Sequence, residues 1–160
     1  MLLPENDSQI IKLTDKFYQD HPYEQYQEIL WKPSRSYNCI LFETHYDYFI
    51  CVPYRTNIRH NYAYKFKTSK RSKAHPSGLD FKKIVIIAKT EYLDNKDGII
   101  DQDEYYETMA NIEKIKEKAL CFVEDYVNHI NGVALLNDKE FFRRYSQSPL
   151  QYFHKELGIE

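Results

Sequence analysis

Several features of a membrane or secreted protein are missing from this sequence. No apolar run approaches the roughly 20 residues that a membrane-spanning helix needs. Leu2 and Leu3 are followed at once by Pro4, Glu5 and Asp7, so the start of the chain lacks the apolar core of a signal peptide. We therefore expect a soluble, cytoplasmic protein.

Metal-binding and redox motifs are missing as well. The three cysteines, Cys39, Cys51 and Cys121, are odd in number and show no C-x-x-C spacing, so we expect buried thiols in a reducing compartment. The six histidines form no H-x-x-x-H or H-E-x-x-H pattern. Leu93 to Gly98 has the glycine of a calcium loop but not its first carboxylate. We expect neither a metal ion nor another cofactor.

Glycine is scarce and tyrosine is abundant. The 160 residues include 4 glycines and 15 tyrosines, and 42% of the side chains are hydrophobic. This length and composition predict a single domain, residues 1–160, around one core. Tyrosine rings suit half-buried sheets and also stack on nucleic-acid bases, so their enrichment fits both a packed sheet and a nucleic-acid-binding protein.

The first half of the chain carries patterns typical of strands. Residues 37–43 and 46–53 are rich in isoleucine, phenylalanine, tyrosine and valine, which predicts an antiparallel hairpin. Residues 62–68 alternate strictly, so the aromatic residues are expected on one face and the lysines on the other. Residues 83–88 predict a further buried strand. Ahead of these strands, residues 8–20 show an apolar stripe that predicts a first helix.

From Asp101 onward the apolar period changes to about 3.6 residues. Asp101 and Glu104 have the spacing of a capping box, and Gly132 has the place of a C-cap, which together predict one long helix. Asn137 and Ser148 predict the starts of two shorter helices. The fold class is therefore expected to be α+β, with a mostly antiparallel sheet. The apolar face of the long helix is expected to consist of Tyr105, Met109, Ile112, Ala119, Phe122, Tyr126 and Ile130, with its acids and bases in solvent.

A strongly basic stretch lies in the middle of this otherwise acidic chain. Between Asp47 and Asp80 there is no acidic residue but seven of the 22 basic ones, while the whole chain has a net charge of −2. Such a concentration of positive charge is typical of proteins that bind a phosphate-rich partner. The cations expected to contact RNA phosphates are Lys65, Lys67, Lys70, Arg71, Lys73 and, beyond the stretch, Lys82.

The segment from Arg55 to His60 has the residue types that RNA cleavage without a metal requires. In that reaction the ribose 2′-hydroxyl attacks the adjacent phosphate, which needs a base, an acid and fixed hydrogen-bond donors. An unperturbed imidazole has a pKa of about 6.5, which suits His60 for proton transfer near neutral pH. Arg55 and Arg59 would hold phosphate oxygens, and Thr56 and Asn57 would add neutral hydrogen bonds. An arginine-rich loop after a strand is also typical of a solvated turn or a passive phosphate clamp, so the residue types alone leave both alternatives open.

The order of motifs along the chain adds a family resemblance. Arg35-Ser-Tyr37-Asn-Cys-Ile-Leu leads into a strand, and Cys-Val-Pro-Tyr-Arg55-Thr56-Asn-Ile-Arg59-His60 ends the next one. The lysine-rich residues 65–73 are followed by Ser77-Gly78-Leu79-Asp80-Phe-Lys82-Lys83, and then by the predicted long helix. From about Ser8 to Leu157 this succession resembles the toxins of bacterial type III toxin-antitoxin systems, the ToxN and AbiQ family, and especially its CptN and TenpN branches.

The resemblance implies a specific fold, activity and partner. The implied fold is a strongly curved antiparallel sheet or barrel akin to the MazF and Kid toxins, with added helices. The implied activity is a metal-independent endoribonuclease that leaves a 2′,3′-cyclic phosphate on cellular mRNA, as in phage defence by abortive infection. The implied inhibitor is an RNA antitoxin, cut by the toxin from a repetitive precursor into pseudoknotted units that stay bound in a closed protein–RNA assembly.

The resemblance also implies roles for individual residues. Thr56 falls where ToxN-like members have a catalytic serine, whereas Arg55 replaces a neighbouring hydroxyl-bearing residue. Arg35 takes the place of an active-site lysine before the first strand, and Arg35 with Tyr37 would complete the wall of the site opposite the segment from Arg55 to His60. His60 resembles a feature of the CptN and TenpN branches. The expected catalytic set is therefore His60, Arg59, Thr56, Arg55, Asn57 and Arg35.

The segment around Asp80 is implied to bind RNA near this site. The full RNA-binding set is expected to be Tyr37, Lys65, Lys67, Lys70, Arg71, Lys73, Asp80 and Lys82. Tyr62 and Tyr64 would either stack on bases or pack in the core. Two rival hypotheses remain open: a non-catalytic RNA- or DNA-binding regulatory module, and a structural subunit whose basic stretch meets an acidic protein surface.

Overall fold

The computed structural model describes residues 8–31, 37–94 and 100–159. Within these ranges the chain forms six strands and five α-helices. The strands are β1 (Ser8–Lys12), β2 (Asn38–Glu43), β3 (Phe49–Thr56), β4 (Ala63–Lys65), β5 (Ser77–Asp80) and β6 (Val85–Ile87). The α-helices are α1 (Asp15–Asp20), α2 (Lys70–Ala74), α3 (Gln102–Ala110), α4 (Ile112–Ile130) and α5 (Asp138–Tyr145).

The sheet is built around β3, which is also its longest strand. The strand order is β1-β2-β3-β5-β4, with β6 also paired to β3, and every pairing is antiparallel. One edge of β3 pairs with β2, while the other edge pairs first with β6 and then with β5. The expected α+β class and the β2–β3 hairpin are confirmed. The sheet of the described residues is open, so the expectation of a closed barrel is wrong.

A single break separates β5 from β6 along that second edge of β3. The two strands are joined by a 3-10 turn, Phe81–Lys83, whose N-cap is Asp80. The cap works because an Asp80 carboxylate oxygen accepts a hydrogen bond from the backbone N–H of Lys82 at 3.0 Å. The predicted strand over residues 83–88 is therefore shorter, Val85–Ile87, and the break places the Asp80 side chain beside the end of β3.

The core lies between the sheet and α4. All three residues of β6 and most of β2 and β3 are buried, as runs of β-branched and aromatic residues lead one to expect. The helix contributes one apolar stripe at a spacing of three and four residues. Its buried members are Ile115, Ala119, Phe122, Val123 and Tyr126.

The prediction of a helix over residues 8–20 is wrong in its first half. Ser8–Lys12 is the strand β1, in which Ile10 faces Ile40 and Ile11 faces Cys39 across the pair with β2. The helix starts only at Asp15. Adjacent β-branched isoleucines favour a strand, and the cross-strand partners outweigh an apolar spacing that also fits a helix.

The predicted long helix is two helices. Asn111 ends α3 and precedes α4 with φ −120° and ψ 19°, outside helical geometry, and its side chain donates to the Glu107 carbonyl at 2.9 Å. Such side-chain bonds to the backbone compete with helical bonding. The predicted capping box is also absent from α3. The Asp101 side chain makes no capping hydrogen bond, and the Glu104 side chain is completely buried. Tyr105 and Ile130, expected on the apolar face, are exposed.

Several local predictions near the end of the chain are confirmed. Asn137 caps α5 by accepting a hydrogen bond from the N–H of Glu140, and Ser148 caps the short 3-10 helix Pro149–Tyr152. Gly132 has φ +72°, the left-handed conformation of a glycine that follows a helix. Of the three cysteines, Cys39 and Cys51 are buried as expected, whereas Cys121 on α4 is exposed, contrary to the prediction.

Candidate active site

The loop that follows β3 has a backbone conformation set by one residue. Asn57 has φ 59°, and it is the sole non-glycine residue with positive φ in the described ranges. Asparagine tolerates this left-handed region better than most residues do. Next to it, Ile58 is buried and donates its N–H to the carbonyl of Pro76 at 3.0 Å. The loop is therefore anchored, and it exposes Asn57 and Arg59 to solvent.

Asp80 lies at the centre of the candidate site. Its side chain is completely buried, yet it sits between two partly exposed side chains, Arg55 at 34% and His60 at 23%. Arg55 Nη1 donates to Asp80 Oδ2 at 2.9 Å. His60 Nε2 lies 3.0 Å from Asp80 Oδ1. The structure thus joins Arg55, His60 and Asp80, which the sequence places 25 and 20 residues apart.

The orientation of the His60 ring determines what it can do. Its Nδ1 accepts a hydrogen bond from the backbone N–H of Tyr62 at 3.1 Å, so the neutral ring carries its proton on Nε2. Nε2 is shielded from water and close to Asp80, but it lacks the alignment of a hydrogen bond with that carboxylate. In this arrangement neither ring nitrogen faces the solvent.

Asp80 is ionised at neutral pH despite its burial. Burial by itself would raise its pKa, but the contacts with His60 and Arg55 outweigh that effect and hold the pKa of Asp80 below its usual range. Lys83 lies near the same cluster, and burial together with the charge of Arg55 lowers its pKa. Its Nζ donates to the carbonyls of Glu28 and Gln147, so Lys83 mainly fixes chain segments.

The basic stretch is held by acids of α3, a contact that sequence reasoning missed. The buried Glu104 carboxylate pairs with Arg71, and Ser77 Oγ donates to it at 2.8 Å. Asp103 accepts a hydrogen bond from the N–H of Lys70. Glu107 accepts from the N–H groups of residues 67 and 68 and from two hydroxyls nearby. The expectation that the acids of this helix all face solvent is therefore wrong.

The lysines of this stretch remain available to a partner. Lys67, Lys70 and Lys73 are exposed, and their ammonium groups form no ion pair with any residue that the structure describes. Lys65 and Lys82 are half-buried and likewise unpaired in those ranges. Arg71 differs, since Glu104 already neutralises it.

The remaining predicted positions are distributed around this cluster. Arg35 lies outside the described residues. Tyr37 is half-buried just before β2, whose Cys39 faces Pro53 on β3, so Tyr37 comes from chain beside the end of β3. Thr56 is the last residue of β3 and half-buried. Asp80 was expected to contact RNA, but its complete burial gives it contacts with protein groups instead.

The tyrosines in β4 and just before it contact other parts of the protein. Tyr64 is buried and donates to a Glu107 oxygen at 2.8 Å. Tyr62 is half-buried and donates to Glu140 at 3.2 Å, with its ring 6.2 Å from that of His60. Core packing thus accounts for Tyr64, whereas the ring of Tyr62 forms part of the wall beside His60.

A separate groove of about 650 Å³ lies between the β2–β3 turn and α4. Ile50 and Val123 lie in its floor, and the stacked rings of Tyr46 and Tyr48 form one side. None of the residues predicted for catalysis or RNA binding lines this groove. This groove is therefore separate from the candidate site.

Two further observations concern the described residues alone. No group of three or more histidine, cysteine, aspartate or glutamate side chains within them is arranged to hold a metal ion. None of the helices in these ranges has the length and apolar character needed to cross a lipid bilayer.

Compared with known proteins, the chain matches no family model, no curated protein and no solved structure at a significant level. The resemblance to type III toxins accordingly rests on the motifs of the sequence.

Proposed function

We propose that this protein is a metal-independent endoribonuclease toxin of the type III toxin-antitoxin kind. The observation that carries the proposal is the cluster at the end of β3, where one buried carboxylate, Asp80, gathers Arg55 and His60. Arg59 and Asn57 are exposed on the adjoining loop. The cluster combines positive charge with an imidazole, which are the groups that phosphate-ester cleavage requires.

The proposed reaction is an internal transfer at phosphorus. The ribose 2′-oxygen loses its proton and bonds to phosphorus, while the 5′-oxygen leaves with a proton, which yields a 2′,3′-cyclic phosphate and a 5′-hydroxyl. Arg55 and Arg59 stabilise the charge on the phosphate oxygens, and Thr56 and Asn57 orient them. His60 transfers a proton through Nδ1, which exchanges its contact with the Tyr62 N–H for the RNA while Nε2 stays beside Asp80.

The proposed partner is a small pseudoknotted RNA that the toxin processes from a repetitive precursor and that then blocks the site. The unpaired ammonium groups of Lys67, Lys70 and Lys73 support this part of the proposal, because phosphate contacts supply most of the affinity for RNA. Arg35 would supply a further cation to the site, and Tyr37, beside the end of β3, would contact the RNA. We also propose that the open antiparallel sheet is a variant of the MazF and Kid type of fold.

Copurification tests this proposal directly. The protein is expressed together with its native upstream sequence, and bound nucleic acid is extracted, digested with RNase or DNase, and sequenced. We expect a discrete RNA of repeating units bound at fixed stoichiometry. Recovery of nucleic-acid-free protein at low salt would contradict the proposal and favour a structural subunit.

A non-catalytic RNA-binding module is the second candidate function. The orientation of His60 favours it, because both ring nitrogens face protein groups. Under this alternative the cluster is a rigid phosphate clamp. Comparing His60→Gln with the wild type separates the two candidates. If the protein is an enzyme, the wild type cleaves RNA and the variant does not. If the cluster is a clamp, neither protein cleaves RNA, and the variant still binds RNA as long as the cluster keeps its shape.

A further inference from the structure

Asp80 has a geometry that contact with RNA does not explain. Both of its carboxylate oxygens are occupied: Oδ2 accepts from Arg55 Nη1 at 2.9 Å, and Oδ1 accepts from the N–H of Lys82 at 3.0 Å. The same Oδ1 lies 3.0 Å from His60 Nε2. A carboxylate with no exposed surface cannot reach a substrate, and it would repel phosphate if it did.

We propose that Asp80 is the positioning residue of this site, whose carboxylate fixes the guanidinium of Arg55 and the ring of His60 relative to one another. This inference rests on the proposed RNA cleavage. Asp80 is then not an RNA-binding residue, as the sequence had predicted, but a buried residue that supports Arg55 and His60. Asp80 therefore acts through Arg55 and His60 and touches no substrate.

The contacts of Arg55 show what such positioning achieves. One N–H of its guanidinium is bound to Asp80, and the group makes no other hydrogen bond with the described residues. Since a guanidinium is a planar fork of five donors, fixing one of them sets the direction of the rest. The remaining donors lie on a side chain that is partly open to solvent. They are thus aligned in advance for two oxygens of a phosphate.

The contact with His60 places the ring against the same carboxylate. The negative charge of Asp80 lies 3.0 Å from Nε2 and attracts the N–H on that nitrogen, which leaves Nδ1 on the other side of the ring. The charged groups around the ring come from four elements: Asp80 of β5, Arg55 of β3, Lys82 and Lys83 of the following turn, and, beyond Tyr62, Glu140 and Arg144 of α5.

The position of Asp80 in the fold explains why it can hold both groups. It is the last residue of β5, where Gly78 is paired with Arg55, and it caps the turn that separates β5 from β6. Its main chain is therefore held by the sheet and its side chain by the turn. A residue fixed in this way can restrain two partners without moving itself.

The test compares Asp80→Asn with the wild type. Asparagine keeps the size and one acceptor oxygen but removes the charge. Cleavage of a labelled RNA oligonucleotide of randomised sequence is followed in EDTA from pH 5 to 9, with RNA binding measured separately. We expect the maximal rate to fall about 100-fold while the apparent KM changes less than about threefold. We also expect the NMR signals of the His60 ring to change, because the ring loses the charge that lies beside Nε2.

Two further variants guard against a trivial loss of folding. Glu104→Gln neutralises another completely buried carboxylate that is paired with an arginine, so it lowers stability similarly but should leave the NMR signals of the His60 ring unchanged. Arg55→Lys keeps the charge but not the fork, and it should lower the rate with the His60 ring signals unchanged. The NMR signals of the His60 ring in each folded variant report the contact with Asp80 without relying on activity.

The outcomes are distinct. If the wild type cleaves RNA and Asp80→Asn cleaves at the same rate with the same apparent KM, the positioning role is wrong while the nuclease stands. If the wild type cleaves no RNA, the proposed function fails and this inference fails with it. A slow Asp80→Asn variant with a nearly unchanged apparent KM and altered His60 ring signals supports the inference.

Discussion

Arg71 on α2 is paired with Glu104 on α3, and the carboxylate of Glu104 is completely buried in this contact. Arg71 Nε lies 3.2 Å from Glu104 Oε2, to which Ser77 also donates a hydrogen bond. The chain thus attaches its own basic stretch to its own acidic helix. This contact neutralises one of the seven cations while leaving its side chain partly exposed.

Replacing Glu104 by alanine is expected to lower the free energy of unfolding by about 3–5 kcal/mol. The change leaves the Arg71 guanidinium without its partner and creates space under α2. Urea denaturation followed by circular dichroism measures it. Glu117→Ala, at an exposed position of α4, is the control and should stay within about 0.5 kcal/mol of the wild type. Equal effects of the two substitutions would contradict the importance of the buried pair.

Glu107 is expected to make the protein less stable in acid. Burial raises its pKa, but hydrogen bonds from Tyr64, Lys67 and Thr68 outweigh this and hold the pKa of Glu107 below its ordinary value of 4.5. A carboxylate with a lowered pKa in the folded state stabilises the protein above its unfolded-state pKa, and that contribution is lost as the pH falls through the folded-state value. Melting temperatures should therefore fall below about pH 4.3.

The variant Glu107→Gln tests the assignment to this residue. It should be less stable than the wild type at pH 7, by roughly 1–3 kcal/mol, because charge-assisted hydrogen bonds are lost. The difference should shrink as the pH falls below about 4.3 and the wild-type carboxylate takes up a proton, because the pKa of Glu107 is lowered in the folded state. A difference that stays constant over this range would show that another group is responsible.

Gly78 is expected to tolerate no side chain. A Cβ atom at this position would lie 2.0 Å from the carbonyl oxygen of Tyr64 on β4, so the two strands would have to separate. Gly78→Ala should lower the free energy of unfolding by roughly 1–3 kcal/mol or more. Gly132→Ala provides a comparison, because it meets no atom within 4 Å and suffers only the strain of its positive φ. Thermal melts that rank Gly132→Ala as the more harmful change would argue against the close approach of β4 and β5.

The exposed lysines of the basic stretch are expected to control RNA affinity and its salt dependence. Changing Lys67, Lys70 and Lys73 together to alanine should weaken binding and reduce the slope of log K against log salt by about 0.7–0.9 for each phosphate that is no longer neutralised. Fluorescence anisotropy between 50 and roughly 300 mM salt provides the measurement. The matched control is Lys114→Ala with Lys118→Ala, two exposed lysines of α4. An identical slope in both variants would show that Lys67, Lys70 and Lys73 do not contribute to RNA binding.

Local sequence patterns predicted those elements whose partners are close in the chain. The β2–β3 hairpin, the Asn137 and Ser148 caps and the left-handed Gly132 all depend on residues a few positions apart. The helix predicted to include residues 8–12 was wrong there because the apolar spacing of these residues also suits a strand. The strand β2 that pairs with them lies about 30 residues further along the chain. Asn111 interrupts the helix through one side-chain bond that periodicity does not reveal.

The candidate site was predictable in composition but not in arrangement. The basic stretch and the segment from Arg55 to His60 were visible as residue types. The charge count could not show that Arg55 and Arg71 each have a carboxylate partner, because Asp80 and Glu104 lie 25 and 33 residues further along the chain. Nor could it show that both His60 nitrogens face inward, since that depends on the backbone of Tyr62 and the burial of Asp80.

The most direct test of the central claim is to incubate wild-type protein and His60→Ala with total RNA and with the candidate repetitive precursor in EDTA, and to identify the product ends. We predict cleavage by the wild type alone, with 2′,3′-cyclic phosphate and 5′-hydroxyl termini, and RNA binding by His60→Ala within about threefold of the wild type. Tight binding with no cleavage by either protein, or equal cleavage by both, would contradict the claim.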